Sequence, residues 1–340
     1  MKAMILAAGY GTRLRPLTYS VPKPMVRICN RPLIGYAVEN FIKFGVSEII
    51  VNLHHLPEIL ERYLTRTYGD RVKFQFSYEP EILGTGGGIR KVRALLENEE
   101  DFFLVNGDTI QFAPFAKLRE QRKATNALAA LTLRHPPEGD RFTAVWFDNG
   151  IITGFAKSGV GEPLMFSGSH LISSRIFKHL PNKEFSGIVD EVYIPLIASG
   201  KETIAAVIDD GPWFDIGTPQ RYISAARGIL DMTINGDIPV VKGSRVSGDS
   251  VVDQTASVMG TVSRSSIGAR SSIRGEVRDS IIGDDCRITG SALLERCIVG
   301  DDVEISRPMH LSNAVICRDD AAIPRDADYS FQAGLAIAEF

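Results

Sequence analysis

Between Leu6 and Pro24 the chain reads LAAGYGTRLRPLTYSVPKP, a run whose residue types suit an anion. Small residues stand at Ala7, Ala8, Gly9 and Gly11, followed by Thr12, Arg13 and Arg15, and then by Lys23 between two prolines. Glycines let a backbone approach a ligand closely, and their N–H groups line up as an anion-binding concavity. Arg13 and Lys23 add full positive charge. This is the chemistry for holding a triphosphate. The third glycine of the dinucleotide fingerprint is missing, and so is the Gly-Lys-Ser/Thr of a P-loop.

Three further constellations give the run its meaning. Glu79-Pro-Glu-Ile-Leu-Gly84-Thr85-Gly86-Gly87-Gly88 places three successive glycines where backbone entropy makes them costly, so a ligand or a neighbouring chain must come close. A flat nucleobase lying on this strip, with a glutamate at its edge, satisfies that demand. Asp108, after Asn106-Gly107, and Asp215, in Trp213-Phe-Asp-Ile-Gly-Thr-Pro, are carboxylates at strand ends. Together they suit one Mg²⁺, which binds through one or two carboxylates plus substrate phosphates. Lys157, in Phe155-Ala-Lys-Ser, reads either as a solvated loop lysine or as a clamp for a second substrate's phosphate, and on the second reading Ser167 and Gly168 line the same sub-site. The six histidines are dispersed without zinc spacing and read as structural, with His170 a candidate for lining the pocket.

These residues need a frame that gathers them. Pro32 opens a helix with an apolar face of Ile34, Ala37, Val38 and Phe41, and Gly45 stops it. Glu48–Leu53 reads as a buried strand, and a helix from about Pro57 to Thr67 follows. A strand over Val72–Phe76, a helix from about Ile89 to Leu96 and a strand over Phe102–Val105 continue the alternation. Such βαβα order predicts a mainly parallel sheet with helices on both faces. Ligands of such sheets sit beyond the carboxyl ends of the strands, where all three glycine-bearing loops leave. From about 140 to 215 the pattern loosens into mixed strands with a hairpin at Asp148-Asn149-Gly150, expected as an inserted layer closing the pocket.

From about residue 241 helical periodicity vanishes. IGARSSI (267–273), IGDDCRI (282–288) and VGDDVEI (299–305) each carry an aliphatic at i and i+6 with glycine at i+1. That is a hexapeptide repeat winding a parallel β-helix, whose few coils need a cap, the first domain or a second subunit. Two domains are expected, residues 1–235 and 241–325.

Composition narrows the setting. The 340 residues carry a net charge of −3, so no basic field for nucleic acid exists. The apolar run Met4-Ile5-Leu6 is too short for a signal peptide or a membrane span, and no later apolar stretch reaches about 18 residues. The four cysteines show no CxxC spacing, and a reduced, cytoplasmic protein is expected.

The opening loop, the Leu-Gly-Thr-Gly-Gly strip, the Asn-Gly-Asp and the Trp-Phe-Asp-Ile-Gly-Thr-Pro resemble the sugar-1-phosphate nucleotidyltransferases over residues 1 to about 230. The tail resembles the C-terminal domain of longer members such as mannose-1-phosphate guanylyltransferases. The resemblance implies an α/β fold, a Rossmann-like mixed-sheet domain followed by a left-handed parallel β-helix. It implies that Leu6, Ala7, Ala8, Gly9, Gly11, Thr12 and Gly107 hold the nucleotide and that Arg13 and Lys23 grip its phosphates. Glu79 stands where the family has a base-contacting glutamine, and Gly84 and Thr85 flank the base. Asp108 and Asp215 hold Mg²⁺, and Lys157 meets the sugar phosphate. Ala156 replaces a sugar-contacting glutamate, and ionised Glu79 only accepts hydrogen bonds, unlike glutamine.

The implied reaction joins an NTP and a sugar 1-phosphate to give an NDP-sugar and pyrophosphate, with GDP-mannose-type synthesis expected. UDP-sugar or heptose-1-phosphate chemistry and a catalytically silent regulatory paralogue are the alternatives. Acyl transfer by the coils is excluded by the lack of a histidine base between residues 241 and 309. The tail is expected to make homo-oligomers.

Overall fold

The computed structural model of the chain describes residues 1–137, 142–155, 162–325 and 329–340. These divide into two compact units, Met1–Gly9 with Ile34–Trp213, and Tyr10–Leu33 with Phe214–Phe340.

The first unit is built on a nine-stranded sheet. Its parallel half consists of β1 (Lys2–Leu6), β2 (Glu48–Leu53), β3 (Lys73–Tyr78) and β4 (Asp101–Asn106), in the order β3-β2-β1-β4. β1 and β2 are near-continuous apolar runs, as strands buried on both faces must be. Helix α1 (Leu33–Phe44) connects β1 to β2, and Ile34, Val38 and Phe41 on its expected face are fully buried. Gly45, at φ 86°, ends it in a conformation open to glycine. α2 (Pro57–Tyr68) and α3 (Gly84–Lys91) supply the next two crossovers. Met4, Ile50, Ile89, Phe102 and Leu104 meet in the core between sheet and helices.

Two expectations are corrected. The helix expected from about Ile89 starts at Gly84, so the glycine strip is its first turns rather than a flat loop. The strands between 140 and 215 form no separate layer. With β5 (Ala129–Arg134) before them, β6 (Ala144–Asp148), β7 (Ile151–Phe155), β8 (Leu164–Ser173) and β9 (Ile204–Ile208) extend the same sheet as β8-β5-β9-β7-β6, and of the described strands in that stretch only the short Trp213–Asp215 is not part of it. The reason is the free edge of β4, along which β8 pairs antiparallel over five residues. The hairpin at Asn149 and Gly150 forms as expected, with φ 47° and 76° at the two turn residues.

In the second unit the repeats wind as three parallel ladders. Ile267, Ile282 and Val299 stack in register, stepping by 15 and then 17 residues, with Val252 before them and Ile316 after. Ile273, Ile288 and Ile305 stack likewise, and both columns are buried. Antiparallel strands at Ser244–Ser247 and at Leu335–Glu339 finish the first ladder at its two ends. Helix α4 (Pro219–Ile234) belongs to this unit, its first turn capped by the Thr218 hydroxyl, which accepts from the Arg221 N–H at 3.3 Å.

Candidate active site

In the first unit, register brings the strand ends to one level. Leu6 pairs with Asn52 on one side and Asn106 on the other, so the backbone beyond β1, β2 and β4 leaves from a common edge. Asn52, the one polar residue near the end of an apolar strand, ties these ends together. Its Oδ1 accepts from the Ala7 N–H at 2.7 Å, and its Nδ2 donates to Glu79 Oε1 at 2.8 Å. Glu79 Oε2 accepts from the Leu83 N–H at 3.0 Å, just before α3. Glu79 is thus buried with each carboxylate oxygen in a protein hydrogen bond. Ala8 is half-buried and Gly9 exposed, with open space where its side chain would be.

Gly107 donates its N–H to the Leu6 carbonyl at 2.8 Å, and a side chain there would collide with that oxygen. Asp108, which follows, is half-buried. An added Cβ would lie 2.6 Å from the Ser186 carbonyl at Gly84, which has φ 71°, 2.7 Å from the Ser186 hydroxyl at Gly86, 2.6 Å from the Glu184 carbonyl at Gly87 and 3.1 Å from Glu79 Oε1 at Gly88. The close approach that three glycines demand is thus met by the chain itself. Thr85 Oγ1 accepts from the Ile188 N–H at 2.8 Å and pins the same segment.

Gly168, at φ 98°, leaves room for Asn106, whose Nδ2 would be 2.7 Å from an added Cβ. Ser167 is buried, its hydroxyl bonded to Thr132 Oγ1 at 2.6 Å and its carbonyl accepting from Trp213 Nε1 at 2.9 Å. His170 does not line an open pocket. It is buried between Phe166 and Tyr193, with Nδ1 3.0 Å from the Tyr193 hydroxyl, and burial pushes its pKa down to about 3. It is a neutral core residue. Lys157 lies outside the described residues.

In the second unit, Gly11 has φ 64°, and a Cβ there would approach Lys23 Cβ at 2.9 Å and Thr18 Cγ2 at 3.1 Å. Only glycine meets both demands. Thr18 Oγ1 donates to the Gly11 carbonyl at 2.8 Å. A 3₁₀ turn over Thr12–Leu14 then leaves Thr12 and Arg13 exposed, whereas Lys23 is buried. Gly217 is the meeting point of two predicted residues. A Cβ on it would lie 2.9 Å from Asp215 Oδ2 and 3.3 Å from Arg13 Nη1. Asp215 also pairs with Arg221.

Sequence reasoning missed Asn52, Gly217 and Arg221. A lone amide near the end of EIIVNL and the arginine three residues past the helix-capping Thr218 were the signals available.

Among the described residues no group of three or more His, Cys, Asp or Glu is gathered as a metal cage. Asp108 belongs to the first unit and Asp215 to the second, and each is a carboxylate, the oxygen-donor type that Mg²⁺ takes alongside phosphate and water.

Residues 2–232 match the family model described as nucleotidyl transferase, and residues 240–329 match the one described as GlmU-like, C-terminal hexapeptide. The chain belongs to the nucleotidyl transferase family. Among curated relatives, a probable mannose-1-phosphate guanylyltransferase 2 of Oryza sativa subsp. japonica is 30% identical over 93% of this chain and 86% of its own length. The mannose-1-phosphate guanylyltransferase catalytic subunit beta of Danio rerio is 30% identical over 95% of this chain and 92% of its own. Among solved structures, HddC from Yersinia pseudotuberculosis superposes with a TM-score of 0.56 at 24% identity, covering 67% of this chain and 99% of that one. This last likeness is one of fold.

Proposed function

We propose that the chain transfers a nucleotidyl group from an NTP to a sugar 1-phosphate, giving an NDP-sugar and pyrophosphate, and that the pair is GTP with mannose 1-phosphate. The observation that carries the reaction class is the exposed Arg13 set beside Asp215 across Gly217, on a loop whose Gly11 admits no side chain. The choice of guanine and mannose rests on relatives of that name matching 93–95% of the chain.

A phosphate monoester is largely dianionic at neutral pH, its second pKa being about 6. One of its oxygens attacks the α-phosphorus, the bond to the β-phosphate oxygen breaks, and pyrophosphate leaves with both electrons. No proton has to be moved, and neutral, buried His170 is not needed as a base. The barrier is repulsion between two anions and charge growing at the α-phosphate. Arg13 and Lys23 address both by neutralising and aligning the phosphates. The Leu6–Gly9 backbone, Gly11, Thr12 and Gly107 hold the nucleotide, Gly84 and Thr85 flank its base beside Glu79, and Lys157, Ser167 and Gly168 serve the sugar phosphate. Asp108 and Asp215 would hold Mg²⁺, which supplies further charge neutralisation at the phosphates.

The nucleotidyltransferase domain spans residues 1–235, and residues 241–325 form a left-handed β-helix through which copies of the chain associate. The hexapeptide match supports that association. Four buried cysteines without disulfides favour a cytoplasmic home, and no helix among the described residues is long and apolar enough to cross a membrane.

Pyrophosphate release with Mg²⁺, measured for four NTPs against mannose, glucose, N-acetylmuramate and heptose 1-phosphates, tests the reading. GTP with mannose 1-phosphate is expected to give the highest kcat/KM. A preference for UTP overturns the substrate assignment, and no release with any pair overturns the enzyme.

A further inference from the structure

The segment that carries Arg13 and Lys23 is packed as one compact unit with the hexapeptide coils. Its return arm is a short hairpin, Arg27–Ile28 against Arg31–Pro32, turning through Cys29 and Asn30 at φ 49° and 62°. Arg27 reaches two successive coils at once. Its Nη1 lies 2.5 Å from Asp284 Oδ1 and its Nη2 2.8 Å from Asp301 Oδ2. These two aspartates hold the same place in IGDDCRI and VGDDVEI, while the preceding coil has Ala269 there.

Each aspartate is itself fixed by the helix it belongs to. Asp301 Oδ1 accepts from the Asp284 N–H at 2.8 Å, and Asp284 Oδ1 accepts from the Ala269 N–H at 2.8 Å. The two carboxylates therefore stand at a spacing set by the coil, ready for the planar fork of one guanidinium. Burial opposes the Arg27 charge, but Asp301 and Asp284 outweigh it and raise its pKa. Other anchors surround the fork. Tyr222, fully buried, donates its hydroxyl to the Arg27 carbonyl at 2.5 Å. Asn30 Nδ2 donates to the Ile267 carbonyl at 2.9 Å and lies 3.0 Å from Ser244 Oγ.

We propose that Arg27 is a positioning residue and that Asp284 and Asp301 are its mount, so that the hexapeptide coils hold the 10–33 segment in the shape in which Arg13 and Lys23 work. The coils then serve catalysis directly, besides any part in assembly. The proposal rests on the nucleotidyl-transfer reading for its kinetic arm only.

The full-length chain is compared with Arg27→Ala, Asp284→Asn/Asp301→Asn, the triple variant and Arg27→Lys. Two readouts are taken: kcat per folded molecule, and the rate of tryptic cleavage after Arg13, followed by mass spectrometry. Arg27→Ala is expected to lower kcat at least tenfold with KM for the sugar phosphate changed less than threefold, and to speed cleavage after Arg13 about as much. The double aspartate variant should match it, the triple variant should be no worse than either, and Arg27→Lys should recover part of kcat. Wild-type kcat in folded Arg27→Ala, or a loss that vanishes once folded fraction is counted, overturns the kinetic claim. Unchanged protection of Arg13 overturns the mount. Because cleavage needs no substrate, that result stays separate from a chain that turns over no NTP.

Discussion

The sheet edge of the first unit and the coils of the second solve the same problem, burying polar groups, by opposite means. At the sheet edge every polar contact is used once. Asn52 joins Ala7, 45 residues away, to Glu79, 27 residues away. In the coils a polar position recurs and satisfies the next turn. Ser250 Oγ accepts from the Ser265 N–H, Ser265 Oγ from the Ser280 N–H, and Ser280 Oγ from the Cys297 N–H, at steps of 15, 15 and 17 residues. Repetition makes a regular scaffold whose parts each answer to neighbours alone. Single-use contacts make a site, because each loop end is set independently.

That contrast predicts where substitutions are felt as chemistry and where as stability. The largest effect is expected at Arg13, which is exposed and stabilises no core. Arg13→Ala should lower turnover by about 10²–10³, the scale of losing one charge-stabilising donor, with an unchanged unfolding midpoint. Asp108→Asn should behave alike, and a near-normal rate in a steady-state assay would remove either residue from the catalytic set. Ile288→Ala belongs to the other extreme. It empties a site in the buried column Ile273–Ile288–Ile305 and should cost about 2–5 kcal/mol in denaturant unfolding.

Gly87→Ala tests whether the glycine strip obeys packing. Its Cβ would sit 2.6 Å from the Glu184 carbonyl, so a loss of about 1–3 kcal/mol is expected. A neutral outcome would show that the 184–186 segment yields freely. The smallest effect is a pH slope. His170 has its folded pKa lowered to about 3 from 6.5, so it stays neutral while the unfolded chain takes up a proton. Stability is therefore full above pH 6.5 and is lost as pH falls toward 3. Between pH 7.5 and 5.5 the loss from this group should be about 1.4 kcal/mol, and His170→Phe should flatten the slope by that amount in urea titrations.

Much of this was legible in the residues. The apolar runs of β1, β2 and β4 and the period of the hexapeptides are local patterns, and the structure keeps them. The start of α3 was not legible, because glycine's low helix propensity argues against a helix over Gly84–Gly88. Contact with residues 184–186, about a hundred positions later, overrides it. That the mixed half of the sheet joins the parallel half, rather than forming a layer of its own, is not legible for the same reason, since which edge a strand joins is a long-range choice.

Sequence by itself determined the chemistry on offer, namely the glycine-bearing anion loop with Arg13 and Lys23, the two aspartates and the stacked repeats. Residue type and short spacing encode those things directly. Tertiary structure alone decided the partners. It spent both Glu79 oxygens inside the protein, set Arg13 beside Asp215 across Gly217, and clasped Arg27 between two coils. Each of those contacts joins residues 4 to more than 270 positions apart, and the longest of them no local pattern can specify.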